Sequence, residues 1–474
     1  MNRFHRRSFL KTATLGAAAA SLLNGEQING EQKETSKNDM TEVKHLRVQE
    51  HGLLRAPRNQ DANVFEVCYG IGSPMQISPT EVVVFLNRRN CGIDPKTGEL
   101  ADVGDFEAGS DAVIFDNLAG FTVDGAIKIS HMVIDKHPKT GAPVYLLKMP
   151  IFGGFVPLQA KLADGRPHPR AGSGFGLGQV GCLPMDLKKA WAPGTDHHWH
   201  LELLQFQYDG KRFEVVRADR LEQDELLADW SIMEGALHAA IPDGEDLVMG
   251  TWAARKGSSA WSKGCVGVSR WRYGQNGWRP VAFVPASEMD GTSEPSLVRD
   301  KDNSLLLCGR WENGKSYAPL RVWRSCDNGV SWKQAINIPE MRMCAPVTMS
   351  TTAGGWPFVA SSPRRDEIPM ANLVAPTPCP SWRAVRLTQP FKWRIDLYLW
   401  PLTPDRGGIG DPAKAFYAPG GMVDHAIGGV FRLADGRAHS LLFFRTIFDA
   451  EQDTGCRIGE VFSDEKNETL PWRF

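Results

Sequence analysis

The feature that most constrains this chain is a recurring unit: an apolar run, a tight polar turn, then a second apolar run. Clear instances begin at Glu234 (EGALHAAIPDGEDLVMGTW), Glu294 (EPSLVRDKDNSLLLCGRW) and Asp424 (DHAIGGVFRLADGRAHSLLFFR). Weaker ones begin at Phe65, Val156 and Cys344, the last with Gly-Gly at its turn. Asp-Gly and Asp-Asn turns supply the positive-φ residues that a tight hairpin needs. A lone hairpin is marginal in water, so such units must stack to bury their apolar faces. Hairpin repeats of this size predict four-stranded sheets set around an axis, an all-β, six-bladed β-propeller. A large β-sandwich is the alternative, but it accounts for the strands and not for their self-similarity.

Composition points the same way. With 47 Gly, 31 Pro and 15 Trp in 474 residues, the chain favours short strands and tight turns. Helical periodicity is scarce, and the best helical candidate is the short stretch 218–229. Hydrophobic residues at 42% and charged residues at 23% are globular values, which excludes disorder of the whole chain. Lys and Arg number 54 against 55 Asp and Glu, a net charge of −1. No basic excess exists to neutralise a phosphate backbone, so no nucleic-acid partner is expected. The 9 Cys have no regular spacing, so no disulfide framework is readable.

The N-terminus reads as an address. Arg6 and Arg7 are followed by Ser8, Phe9, Leu10, Lys11 and a short apolar run to Leu23. This is the pattern of a twin-arginine export signal, read by a receptor and removed on maturation. The run is short of the ~20 residues that cross a bilayer. The expected organisation is a signal peptide over 1–23, a flexible linker over 24–48 and a propeller over 49–474. The twin-arginine export machinery would then be a partner, and the mature protein would be periplasmic or extracellular with no membrane association. Twin-arginine substrates cross already folded, so the core would form in a reducing compartment without disulfides.

A sharper motif lies at Ser325-Cys326-Asp327-Asn328-Gly329-Val330-Ser331-Trp332. Asp327 can accept hydrogen bonds from its own turn, Gly329 permits positive φ, and Trp332 can cover the hairpin with an apolar plate. Degenerate echoes stand at 269–278 (SRWRYGQNGW) and from Tyr208 (YDGKRFEVV). The motif resembles the Asp-box, or BNR repeat, of sialidases. From Glu234 to about Arg445 the chain resembles the sialidase superfamily, six-bladed propellers dominated by exo-glycosidases. The resemblance implies a structural role for Ser325, Asp327, Gly329 and Trp332. It also implies three arginines clamping a substrate carboxylate, a Tyr nucleophile activated by a Glu, and an Asp acid/base. A guanidinium suits the clamp because it is always charged and binds a carboxylate with two parallel hydrogen bonds.

The residues that fit those roles sit at strand ends. Arg310 and Arg445 end the second strands of their units at equivalent positions, and Arg88, beside Arg89, does so in the first unit. These are the candidate substrate-binding residues. Glu234, Glu294 and Asp424 open first strands, whose ends ring the channel in a propeller, and could serve as acid and base. His425, beside Asp424, could shuttle a proton. Tyr69, Tyr317 and Tyr417 are all open as nucleophile. The expected function is exo-hydrolysis of an acidic or polar glycan, with a glycan or glycoconjugate as the partner. A non-catalytic propeller that binds glycan or protein stays open. So does a propeller-type polysaccharide lyase, with a His or Tyr base beside a uronate.

No cofactor is expected. The chain has no haem C-x-x-C-H, and its Gly-rich run from Gly172 (GSGFGLGQVG) lacks the strand and helix of a nucleotide fingerprint and reads as a loop. His198 and His200 would share one side of a strand and could ligate zinc. No further His or Cys pair completes such a site, so no metal is expected.

Overall fold

The computed structural model describes residues 43, 45–54, 67–93, 100–119, 127–128, 133–136, 143–148, 152–155, 173–184, 198–208, 213–220, 229–235, 241–258, 260–274, 277–311, 318–343, 346–362, 396–418, 422–447 and 455–464. Their regular elements are strands apart from one helical turn, Ala260–Lys263. The signal peptide, most of the linker and the unit at Val156 lie outside the described residues.

The chain begins with β1 (Leu46–Leu54). Next, β2 (Val67–Gln76), β3 (Val82–Ile93), β4 (Leu100–Phe115) and β5 (Ile127–Lys128) form one sheet in chain order. Then β6 (Val133–Lys136), β7 (Pro143–Lys148), β8 (Phe152–Phe155), β9 (Ser173–Pro184), β10 (His198–Tyr208) and β11 (Phe213–Arg220) form a larger, irregular sheet. Its order is β11-β10-β9-β7-β6, with β8 also paired to β9. The third sheet holds β12 (Trp230–Gly235), β13 (Ile241–Asp243), β14 (Asp246–Arg255), β15 (Cys265–Gly274) and β16 (Gly277–Pro285). Both β12 and β13 pair with β14, so together they make its first strand. The fourth runs β17 (Thr292–Arg299), β18 (Leu305–Trp311), β19 (Ala318–Ser325), β20 (Lys333–Met343). The fifth runs β21 (Thr348–Thr351), β22 (Pro357–Ser361), β23 (Asp396–Pro401), β24 (Ala413–Tyr417). In the last, β25 (Met422–Arg432), β26 (Ala438–Ile447) and β27 (Gly455–Ser463) take β1 as their fourth strand.

This is an all-β propeller arrangement. First strands meet first strands, β2 with β25, β25 with β21 and β21 with β17, and so surround the centre. Four antiparallel strands return the chain to the end at which it entered, so successive first strands run the same way. The core lies between sheets rather than inside one. Val248 and Val266 meet Leu297 and Leu305; Leu306 and Val322 meet Met349 and Trp400. Phe358 and Leu399 meet Val423 and Phe444; Phe443 and Ile458 meet Val82 and Val84. Strands covered on both faces are apolar almost throughout, as in β14, where Asp246 to Ala254 are all buried.

The hairpin turns fall where the turn chemistry put them. Gly244 (φ 59°), Asn303 (φ 68°), Gly355 (φ 83°) and Gly436 (φ 78°) all take left-handed conformations in their turns. Four corrections follow. Six like units were expected, but among the described residues the regular four-stranded sheets number five, and β6–β11 are built differently. The expected linker ends early, because β1 starts at Leu46 and pairs with β27 from Leu46↔Ser463 onward. The helical candidate fails at its start, since 218–220 belong to β11 and pair with β10. The Gly-rich run is strand β9, paired with both β8 and β10. Gly174, Gly176 and Gly178 alternate along the first half of β9, a period-two pattern that composition alone hides.

Candidate functional site

The candidate residues gather where first strands begin, and each first strand concerned is irregular there. Register breaks fall between Tyr69 and Gly72 in β2, Ile232 and Glu234 in β12, Ser293 and Ser296 in β17, and Asp424 and Ile427 in β25. Bulges re-aim side chains and cluster beside active sites. Across the strand pair, Arg88 stands opposite Tyr69, Arg310 opposite Ser293, and Arg445 opposite Asp424. Each arginine therefore faces the residue just ahead of its bulge. Because β2, β17 and β25 enter from the same end, the three arginine backbones lie at that end. In the third sheet, Ala253 stands opposite Ile232, the corresponding position.

The best-defined part is the pair Glu294–Arg310. Arg310 Nη1 donates to Glu294 Oε2 at 3.0 Å, with side-chain exposures of 21% and 16%. The pair is in contact yet reachable from solvent. Glu294 lies inside the bulge at φ 47°, a conformation that costs a residue with a Cβ about 1–2 kcal/mol. Pro295 follows it and disfavours the right-handed helical alternative for the residue before it. With its carboxylate committed to Arg310, Glu294 acts here as the residue that orients a guanidinium. Arg445 is buried, at 2% exposure.

A second ion pair stands beside the first and was missed from sequence. Arg321, on β19, donates from Nη1 to Asp290 Oδ2 at 2.7 Å and from Nη2 to Thr292 Oγ1 at 2.6 Å. Asp290 Oδ1 accepts from Thr292 Oγ1 at 2.6 Å and from the Thr292 backbone N–H at 3.2 Å. The signal available was a charged residue inside an otherwise apolar strand, LRVWRS.

The other candidates are placed as follows. Glu234 closes the irregularity in β12, opposite Trp252, and Asp424 precedes that in β25. His425 falls within the β25 irregularity. The side chains of Arg88, Glu234, Asp424 and His425 lie outside the described residues. Tyr317 also lies outside them. Tyr69 opens the β2 bulge, whereas Tyr417 is exposed on β24, the outermost strand of its sheet, with Lys414 Nζ 5.2 Å from its ring. At about 4.8 Å per strand, that is far from the centre. His198 and His200 lie two apart in β10, opposite Cys182 and Val180. Among the described residues no group of His, Cys, Asp and Glu could hold a metal ion. Nor is any helix among them long and apolar enough to cross a membrane.

The turn at 325–332 sits at the opposite end of its sheet, between β19 and β20. Asp327 Oδ1 accepts from Ser325 Oγ at 2.7 Å and from the Ser331 N–H at 2.8 Å, and Oδ2 accepts from Ser331 Oγ. The hydrogen bonds from Ser331 lead those that hold the exposed Asp327 carboxyl down at about 2. Ser325 Oγ accepts from the Gly329 N–H at 2.7 Å, with Asn328 and Gly329 at positive φ. Trp332 packs on the cluster of Leu305, Leu307 and Trp323. The echo at 269–278 spans the equivalent third-to-fourth-strand turn of its sheet, where Trp278 is buried edge-on to Tyr273.

Comparison with protein-family models and with curated protein sequences finds no match. Among solved structures, the chain is similar to a protein of unknown function from Dyadobacter fermentans, with TM-score 0.55 and 10% identity, over 88% of this chain and 99% of that one. Sialidases are also among the structural neighbours. A Trypanosoma rangeli sialidase in complex with sialic acid gives TM-score 0.46 and 13% identity over 89% of this chain, which spans 58% of that one. A Hadza microbial sialidase gives 0.47 and 12%, over 84% of this chain and 66% of that one. At such identities the likeness concerns the fold.

Proposed function

We propose that this protein is a sialidase-like propeller that hydrolyses an acidic or otherwise polar glycan from its end. The observation that carries the reading is the shared register of Arg88, Arg310 and Arg445, each opposite the residue ahead of a bulge in a first strand. Three arginines whose backbones lie at one end of the axis suit a carboxylate-bearing sugar. In this reading Glu294 orients Arg310, while Asp424, Glu234 and His425 supply the proton-transfer groups, and Tyr69, paired with Arg88 at the β2 bulge, is the candidate nucleophile. The 325–332 turn serves as an Asp-box, a structural element remote from the chemistry. The Arg6-Arg7 leader takes the folded protein out through the twin-arginine machinery to the periplasm or beyond.

Hydrolysis of a panel of aryl glycosides, an aryl sialoside among them, tests this. The full chain is compared with Arg310→Ala. Release of aglycone from an acidic substrate, lost at least 100-fold in the variant, is the expected result. No release from any substrate, with the same sugars bound, would turn the reading into a glycan-binding propeller. Products absorbing in the ultraviolet from a uronate polymer would turn it into a lyase.

A further inference from the structure

We infer that Arg321, with Asp290 and Thr292, is a brace that positions the Glu294–Arg310 pair for an anionic ligand. The inference rests on reading that pair as part of the ligand site. The starting point is strain. Glu294 holds a left-handed conformation at φ 47°, and such a residue persists only where its surroundings over-determine it. Its own sheet supplies little, because the bulge interrupts the ladder between Ser293 and Ser296. After it, Ser296 Oγ accepts from the Met349 N–H at 2.8 Å; before it, the chain needs a tie of its own.

The brace acts there. Asp290 and Thr292 are tied to each other and both to Arg321, so one guanidinium on β19 pins the entry into β17. Arg321 reaches β17 across β18, the strand between them. Val322 pairs with Cys308, which puts Arg321 beside Gly309. A Cβ on Gly309 would lie 2.9 Å from Thr292 Cγ2 and 3.0 Å from the Ser293 carbonyl oxygen, so glycine at 309 is what lets the chains close up at this point. Gly309 is also the neighbour of Arg310. Thr292 is fully buried and Arg321 is 11% exposed, which excludes much of the water that would weaken these bonds. The path runs from Arg321 to Thr292, to the bulge, to Glu294 Oε2, to Arg310 Nη1. Arg321 is a positioning residue, with Nη1 directed at Asp290 and Nη2 at Thr292 rather than at the Glu294–Arg310 pair.

The test uses the full chain with arginine side chains labelled in ¹⁵N. The Arg310 Nε–Hε resonance is assigned by its loss in Arg310→Ala, and binding of sialic acid and of glucuronic acid is measured by titration calorimetry. In Arg321→Met the Arg310 resonance should broaden, and affinity should fall about tenfold. Arg321→Lys should recover part of it, and the double variant should bind no worse than Arg310→Ala alone. Should Arg321→Met not fold, Asp290→Asn makes the same comparison with less disturbance. An unchanged Arg310 resonance, or additive losses in the double variant, would overturn the brace. If the wild type binds neither acid, the ligand-site reading fails, and the resonance still decides whether Arg321 holds Arg310.

Discussion

The sheet β17–β20 and the sheet formed by β25–β27 with β1 share a plan and differ in how they are tied. Both open on a bulged first strand with an arginine opposite, Arg310 in one and Arg445 in the other. The first is contiguous in sequence and is joined to the next sheet by arginine. Arg406 Nε and Nη2 donate to Asp300 Oδ2 and Oδ1 at 2.6 and 3.0 Å, both side chains nearly fully buried, with Arg406 4.3 Å from the Trp356 ring. The second sheet is closed by a strand from the far end of the chain and is laced by histidine. His439 on β26 meets Glu460 on β27 through Nδ1 at 2.7 Å and Asp435 of the turn through Nε2 at 3.1 Å. Glu460 Oε2 in turn meets His51 Nε2 on β1 at 2.8 Å. Arg437 also contacts Asp435, and Glu50 on β1 pairs with Arg457 on β27. A guanidinium keeps its charge at any working pH, whereas an imidazole does not. The difference puts a titration above the carboxylate range in the sheet where the ring closes.

The largest expected effect comes from the arginine tie. Asp300→Ala leaves a buried guanidinium without its carboxylate, a loss of about 3–5 kcal/mol. Denaturant midpoints at pH 6 and pH 9 should fall alike; a loss confined to one pH would blur the contrast between the sheets.

The histidine lacing should behave otherwise. Burial alone would push His439 down, but the hydrogen bonds and charges of Glu460 and Asp435 outweigh it and hold His439 above its ordinary 6.5. Its stabilisation is therefore whole below 6.5 and is lost as pH rises through the elevated value. Burial would raise Glu460, but the two histidines hold it below its ordinary 4.5, so its share is whole above 4.5 and is lost as pH falls further. His439→Gln should cost about 2–3 kcal/mol between those limits and progressively less toward pH 9. Melting temperatures of the two proteins from pH 4 to 9 check this, and a gap that stays constant to pH 9 would defeat it.

Smaller effects sharpen the comparison. Gly309→Ala should cost about 1–3 kcal/mol by overpacking and weaken acid-sugar binding with it; a variant as stable as wild type would show that β17 and β18 can part at no cost. Least of all is Asp327→Ala, which should lower the melting temperature by a few degrees, far from the arginines. With Asp327 held at about 2 rather than its ordinary 3.8, the difference from wild type should persist through pH 4 and close as pH falls toward 2. Thermal scans in acid check that limb.

Much of this plan was legible because it is local. Asp-Gly and Asp-Asn turns, period-two apolar runs and the 325–332 motif announce themselves within a dozen residues. Equivalent strand ends brought Arg310 and Arg445 to notice for the same reason. What stayed hidden was non-local. Nothing within 46–54 says that its partner is 455–463, and a strand needs no special residues to close a sheet made elsewhere. The Gly-rich β9 imitates a loop because its pairing on both sides, not its side chains, makes it a strand. Arg321 was overlooked because its meaning depends on Asp290 and Thr292, two strands away in the sheet. The Glu294–Arg310 contact was hidden likewise, since a sequence shows the carboxylate and not the guanidinium it meets.

The pairing of β1 with β27 also sets a clock. Leu46 leaves the ribosome long before Ser463, its partner in the sheet. At roughly 5–20 residues per second, that separation is on the order of 20–80 s. Until β27 is made the molecule is an open arc, and Leu46 and Leu54, buried once the ring shuts, lie exposed at one of its ends. Whatever escorts the nascent chain must keep that end apart from other chains until the final strand arrives.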